Sequence, residues 1–480
     1  MDRRKFLSVL PAGIAAPHAL AATAPPAACD DRPNFLFMIA DDLTYRAIHS
    51  INNREVHTPN FDRLAASGSV FTHCFHQGSW SGAVCVPSRT MLNTGLTAFR
   101  AQQHDEDVQT WGQSMGAAGY DTYICGKWHL SPPLLGRSFR ELGPIGPAML
   151  ISTPEKGMAY NRPSPGNTWR PDDESQRGQW LSAALWRSAA PDRIEHSCSV
   201  YADVASDFLT KQLAHRDKPF FMYVGFNSPH DPRQSPKEFL DLYPQDQIEI
   251  PPNYLPEHPF DQGDARVRDE MLAPFPRTKE AVQLHRREYY ALISYLDAQI
   301  GRILAALEQS GRASNTYVIL TADHGLAVGE HGLMGKQNLY DCSVRMPLLI
   351  SGPGIQPGRA VDELVYQHSM FATTCELAGA PIPSTVEFPS LAPLLHSDKA
   401  LHDAVFCRYI GYQRSVRTKR HKLIVYPKAH QVQLFDLEQD SWETQNLADD
   451  SGHAEVKRDL WARLLAFQKE LGDPLVLGQI

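Results

Sequence analysis

Short, nearly continuous apolar runs along the chain end abruptly in charged or polar residues, the pattern of strands buried on both faces of a sheet. The first run, Asn34 to Ala40, stops at Asp41-Asp42. Tyr120 to Cys125 precedes Gly126-Lys127-Trp128-His129, Pro219 to Phe226 precedes Asn227-Ser228-Pro229-His230, and Thr316 to Ala322 precedes Asp323-His324-Gly325. Between these runs the period becomes helical. Thr58-Pro59-Asn60 caps a helix that places Phe61, Leu64 and Ala65 on one face and stops at Gly68. Leu292, Leu296, Ile300, Ile303 and Leu307 mark a long amphipathic helix ending near Gly311. This alternation predicts an α/β fold, a large, mostly parallel sheet flanked by helices. Ligands bind beyond the carboxyl ends of such strands, so the polar clusters at 41, 127, 230 and 323 are expected to converge. Past residue 400 the pattern changes to short strands, Lys422 to Tyr426 and Gln433 to Leu437, and then to a helical stretch from Ala454 to Leu471. That predicts a small C-terminal α+β subdomain over residues 399–480, after a main α/β domain over 31–398.

A 480-residue chain that is 42% hydrophobic and 21% charged supports a sizeable core, which excludes a disordered or fibrous protein. Its 46 basic and 54 acidic side chains leave a net charge of −8 with no basic block, so nucleic acid is not an expected partner. Eight cysteines without a CxxC pair provide neither a disulfide scaffold nor a zinc site. The start of the chain reads as an export signal. Arg3-Arg4 precedes Lys5-Phe6-Leu7, a mildly apolar stretch and small-residue cleavage sites ending at Ala24, which resembles the bacterial twin-arginine type; a Sec signal is the alternative. Pro11, Pro17 and His18 break the apolar run, so no stable membrane anchor is expected, and Pro26 poorly suits lipidation at Cys29. Removing residues 1–24 takes the net charge to −10, leaving an acidic periplasmic or secreted protein.

Asp41-Asp42 alone could cap the next element, and Asp323-His324 is equally weak in isolation. Together they offer three carboxylates and an imidazole, a set suited to Ca²⁺ or Mg²⁺ if one more oxygen ligand is supplied. The segment Gly82 to Gly95 is the most specific in the chain. Pro87 suits a first helical turn, which puts Cys85 at a positively polarised helix N-terminus with Arg89 one turn on. A lone cysteine is commonly a buried hydrophobe, but here a thiolate or an anionic oxygen would be stabilised.

Cys85-Val86-Pro87-Ser88-Arg89, followed by Leu92, Thr94 and Gly95, resembles the motif of the sulfatase family. Further landmarks of that family follow in order from about residue 32 to about residue 447. They are Pro33-Asn34 before Asp41-Asp42, Thr58 to Ala65, Gly126 to His129, Pro229-His230, Asp323-His324-Gly325, Gly335-Lys336 with Tyr340 and Arg345-Met346-Pro347, and Leu434 to Leu437. The resemblance implies an alkaline-phosphatase-like fold, sulfuric ester hydrolysis, and oxidation of Cys85 to formylglycine (3-oxoalanine), whose hydrate supplies an oxygen nucleophile. It implies one Ca²⁺, in preference to Mg²⁺, held by Asp41, Asp42, modified Cys85, Asp323 and His324, the last being Asn in many members. Asp323 would help deprotonate the attacking hydroxyl, and the metal, Lys127, Lys336 and His230 would bind sulfate oxygens. His230 would protonate the leaving alcohol, His129 would take a proton from the second hydroxyl of the sulfated hydrate, and Arg89 would hold the formylglycine oxygen. Leu96 stands where the modification motif often has Arg.

The segment from Arg137 to Ser199 carries Trp169, Trp180 and Trp186 with Arg170, Arg177 and Arg187. Indole faces and guanidinium groups suit a sulfated sugar, so a sulfated carbohydrate is the expected substrate, although tryptophans are commonly core residues. A formylglycine-generating enzyme and the twin-arginine translocon are the expected partners. Two alternatives stand: a phosphonate or phosphate ester hydrolase with the same site, or a non-catalytic binder of anionic glycans with Cys85 unmodified.

Overall fold

The computed structural model describes residues 31–105, 107–146, 185–187, 194–231, 233, 235–263, 267, 269–397 and 399–478. The export segment 1–24, Cys29, Trp169, Arg170, Arg177 and Trp180 lie outside the described residues, as do the side chains of Trp186 and Arg187 on the short strand Leu185–Arg187.

An eight-stranded sheet forms the centre. Its order is Arg359–Tyr366, Ser69–Phe75, Arg345–Ser351, Thr316–Ala322, Asn34–Asp41, Phe220–Pro229, Asp121–Lys127 and Glu141–Gly146. Only Arg345–Ser351 runs against the rest, paired antiparallel on both sides with Ser69–Phe75 and Thr316–Ala322. Asn34–Asp41 is central and parallel to both neighbours, with Phe37 opposite Tyr223 and Ile319, and its core positions from Phe35 to Ala40 are wholly buried. Double-sided burial explains why these strands are continuous apolar runs without alternation.

Helices flank the sheet. Trp111, at the start of the helix Trp111–Ala117, packs edge-on against Phe37, while its indole N–H donates to Thr374 Oγ1 of the helix Met370–Leu377. The 31-residue helix Lys279–Gln309 matches the predicted apolar stripe and packs against the helices Pro59–Ser67 and Ser197–Asp207. The cap of Pro59–Ser67 differs from expectation. Thr58 makes no side-chain cap, because its hydroxyl accepts from the His49 N–H. Asp297, inside the long helix, accepts instead from the backbone N–H groups of Asn60 at 3.1 Å and Phe61 at 2.7 Å. A tertiary carboxylate thus satisfies the orphan donors of a helix start.

The C-terminal part is a meander of Val405–Tyr409, Gln413–Arg417, His421–Tyr426 and Gln431–Asp436, covered by the helix Ala454–Leu471 through Leu460 and Leu464. Its first strand also pairs in parallel with Gly78–Ser79, which leads into the loop before Cys85. Gly78 has φ +99°, and a Cβ there would overlap the Arg408 carbonyl, so only glycine permits this junction.

Candidate active site

The expected convergence occurs. Asp41 ends one central strand, Asp323 follows Thr316–Ala322, Lys127 ends Asp121–Lys127, and His230 follows Phe220–Pro229. All four are buried. Asp42 and His129 turn the chain at these ends with φ of +70° and +65°. Non-glycine residues are uncommon in that region and need outside support. Asp42 has it: its carbonyl accepts from the Tyr289 hydroxyl of the long helix, and the Tyr289 hydroxyl oxygen in turn accepts from the Thr44 N–H at 3.0 Å.

The helix Cys85–Thr94 brings the fifth group. Cys85 occupies its first position and Gly95 closes it in the left-handed conformation, as the Pro87 and Gly95 signals required. Cys85, Ser88 and Arg89 share one face by helical spacing. Arg89 donates through Nε to Asp323 Oδ2 at 2.8 Å and through Nη1 to the Lys127 carbonyl at 2.9 Å, which ties the helix to two strand ends.

Charges are dense and interlocked. Lys127 pairs with Asp41, and Lys336 pairs with Asp42 at 2.7 Å. His230 has Asp231 on its Nδ1 side at 3.0 Å and Asp42 at 3.9 Å from Nε2. His324 Nδ1 donates to the Gly325 carbonyl at 3.0 Å and lies 3.2 Å from Asp42 Oδ1, while its Nε2 lies 3.5 Å from Asp323 and 3.8 Å from Asp41. Burial opposes ionisation of Asp41, yet Lys127, followed by His230 and Lys336, holds its carboxyl well below the usual range. Burial and then the neighbouring Asp41 charge push Asp323 up. Burial works most strongly against a charged His324, but Asp323, Cys85 and Asp42 together lift the imidazole to about 9. Burial would likewise raise the Cys85 thiol; Lys127, together with the nearby imidazoles of His129 and His324, brings it well below the usual value.

Several buried polar atoms here lack a hydrogen-bond partner: Asp41 Oδ1, Asp42 Oδ2, Arg89 Nη2, His129 Nδ1 and His324 Nε2. Ligand-competent atoms of Asp41, Cys85 and His324 lie within 4.8 Å of one another, as do those of Asp41, Asp42 and His230. Asp323 falls in neither triad; Arg89 engages its Oδ2, and its Oδ1 accepts from the His324 N–H at 3.0 Å. The donor set fits a hard divalent cation through carboxylate oxygens and an imidazole, and fits it better if position 85 presents oxygen than sulfur.

All ten expected residues, Asp41, Asp42, Cys85, Arg89, Lys127, His129, His230, Asp323, His324 and Lys336, therefore meet, Lys336 reaching Asp42 from the loop that follows Thr316–Ala322 and Asp323. Other members of the cluster were missed. Asp269 lies 3.8 Å from Lys336 and accepts from Gln337, and Glu270 accepts from the Met334 and Gly335 N–H groups, fixing the Lys336 loop. Gln367 reaches Ser88 and Asp323. It had a signal: the run up to Tyr366 also ends in polar Gln367-His368-Ser369.

The model of the sulfatase family matches residues 33–380. This chain is a member of that family. A second model, N-sulphoglucosamine sulphohydrolase, C-terminal, matches residues 329–470. The sulfatase is 28% identical over 440 residues to a choline-sulfatase of Rhizobium meliloti, covering 87% of this chain and 83% of the relative. It is 25% identical over 521 residues to an N-acetylglucosamine-6-O-sulfatase of Bacteroides thetaiotaomicron, covering 92% and 87%. Among solved structures, it resembles a protein in complex with its substrate D-glucosamine-2-N,6-O-disulfate, at a TM-score of 0.70 and 24% identity, covering 92% of this chain and 99% of that one. A phosphonate monoester hydrolase of Agrobacterium radiobacter aligns at a TM-score of 0.72 and 21% identity over 92% and 96%. These likenesses establish the large mostly parallel sheet and the family of sulfuric ester hydrolases. No helix among the described residues is long and apolar enough to cross a membrane.

Proposed function

We propose that this sulfatase hydrolyses sulfate esters of a sulfated carbohydrate in the periplasm, using formylglycine formed from Cys85 and one Ca²⁺. The observation that carries the reading is the position of Cys85, at a helix N-terminus within 4.8 Å of ligand atoms of Asp41 and His324 and linked electrostatically to Lys127 and His129. Asp41, Asp42, Asp323 and His324 would hold the cation, which supplies charge neutralisation at the sulfate oxygens. Formylglycine supplies an oxygen nucleophile where a thiol would leave a stable adduct.

The protein's own groups do the rest. Lys127 and Lys336 present ammonium groups where negative charge grows on the sulfate oxygens, inside a buried site where such donors act strongly. His230, whose imidazole pKa burial would lower but Asp42, Asp231 and Asp41 together raise above its ordinary value, donates its Nε2 proton to the departing alcohol. Asp323, its carboxylate oriented by Arg89, accepts the proton of the attacking hydroxyl. His129, with Nδ1 unpartnered, accepts a proton in the second half of the cycle. The modification enzyme and the twin-arginine translocon belong to this reading as its partners before turnover.

Two measurements test it. The peptide containing Cys85 should be about 18 Da lighter than its thiol form, the change that nucleophilic catalysis here demands. The purified protein should then release sulfate from sulfated saccharides faster than from simple aryl sulfates. A persistent thiol in a host able to convert it would favour a glycan binder. Faster turnover of phosphonate than of sulfate esters would make the protein a phosphonate hydrolase on the same site.

A further inference from the structure

We infer that Gln367 is a positioning residue for this reaction, setting the distance between Cys85 and Asp323 through a clamp on Ser88. The inference rests on the sulfatase reading of the site. Gln367 begins the turn Gln367–Ser369 after the edge strand Arg359–Tyr366. That strand is three places from Thr316–Ala322 in the sheet, yet it runs in the same direction, so its carboxyl end opens on the same side as the site.

The clamp is a closed triangle. The Ser88 hydroxyl donates to the Asp323 carbonyl at 2.6 Å. Having spent its one proton, that hydroxyl can only accept from Gln367 Nε2, at 2.8 Å, which fixes the amide's orientation. Gln367 Nε2 also lies 3.3 Å from the Asp323 carbonyl. Ser88, Gln367 and Asp323 are all wholly buried, so water cannot substitute. The next residue, Arg89, holds the Asp323 carboxylate, and Cys85 is one turn earlier on the same helix face. Two consecutive helix residues therefore grip the main chain and the side chain of Asp323. Gln367 locks the main-chain half of that grip.

The consequence is geometric. Asp323 must face both the reacting group at position 85 and the cation, and a shift of about 1 Å in such an arrangement can cost about 100-fold in rate. Partners one layer out from a metal ligand contribute about 10- to 100-fold to metal affinity. Gln367 touches neither substrate nor cation, so its removal should change turnover and metal affinity without changing substrate binding.

The experiment is Gln367→Leu, Ser88→Ala and their combination in the full chain, with conversion at Cys85 first measured by mass so that rates refer to modified protein. For Gln367→Leu we expect kcat on 4-nitrophenyl sulfate to fall about 10- to 100-fold, KM to move less than about threefold, and Ca²⁺ affinity measured by calorimetry to fall about tenfold. The double variant should be no worse than the worse single one, since both break one clamp. A kcat within about twofold of the parent, a loss carried by KM, or losses that multiply in the double variant would overturn the assignment. If Gln367→Leu does not fold, Gln367→Asn carries the same expectation at smaller size. If the parent protein turns over no sulfate ester, the sulfatase reading fails by itself, and the Ca²⁺ titrations still decide the clamp.

Discussion

Two buried charge clusters lie less than a domain apart and are built from nearly the same residue types. One is the candidate active site, with three aspartates, Lys127, Lys336 and Arg89. The other joins the C-terminal meander to the main sheet: Lys422 bridges Asp341 at 2.9 Å and Glu443 at 2.7 Å, while Arg417 and Arg345 approach Asp341 Oδ2 at 3.3 and 3.4 Å. Their difference is saturation. In the second cluster Glu443 also accepts from the Asp341 N–H, and none of its charged atoms lacks a partner. In the first, five polar atoms do. Buried charges are stable when each lone pair and proton is used, and they are reactive or ligand-binding when some are not. Composition alone does not separate a structural ion network from an active site; the unspent valences do.

This contrast is broken most directly by swapping losses. Cys85→Ala should reduce turnover by about 10⁴-fold or more while leaving the thermal midpoint nearly unchanged, because the site is built at strand ends outside the apolar core. Near-normal rates would remove Cys85 from the chemistry. His230→Ala should be selective, with about 100-fold or greater loss on alkyl and saccharide sulfates and much less on activated aryl sulfates, whose leaving groups need no proton. Equal losses on both would end its role as acid.

Lys422→Met in the saturated cluster should do the reverse. It strands Asp341 and Glu443 in a buried environment and should cost about 3–5 kcal/mol of stability in a denaturation experiment, since it breaks a buried pair by removing one partner. Turnover per folded molecule should stay within about twofold. A large fall in kcat of the folded protein would show the two clusters to be coupled.

Much of the first cluster was readable in the chain and almost none of the second. Strands buried on both faces announce themselves as apolar runs, and the residue that ends such a run in a parallel sheet must lie at the ligand side, so Asp41, Lys127, His230 and Asp323 could be placed together without knowing any contact. Cys85 was placed by local signals, Pro87 and Gly95, that act within one helix. Asp341, Lys422 and Glu443 carry no such mark. They meet only because a meander strand near residue 422 folds against a turn about 80 residues earlier, a pairing set by tertiary packing. The same reason hid Asp297 as the cap of a helix more than 200 residues away, and the antiparallel insertion of Arg345–Ser351. Gln367 was legible in principle, but the strand before it is broken by Asp362-Glu363 in its middle, so it did not resemble the continuous apolar runs of the other four.

The smallest expected effect concerns how the saturated cluster responds to pH. Burial pushes the Glu443 carboxyl up to about 7, and the Asp341 charge adds to this, against the pull of Lys422. A carboxyl whose folded value is raised binds its proton more tightly in the folded than in the unfolded state. Its stabilising contribution is therefore complete below its unfolded value near 4.5 and is lost as pH rises through about 7. Asp341, held far below its ordinary value once Arg417 and Lys422 overcome burial, contributes in the opposite direction and at lower pH, so the two windows separate. Glu443→Gln mimics the protonated form and lacks the titration. Compared with the parent, that variant should gain stability steadily between about pH 4.5 and pH 7, read as the difference in thermal midpoints across the range. A parallel pair of midpoint curves would show that Glu443 is already ionised throughout, in which case the cluster is held as a full ion network and not as a partly neutral one.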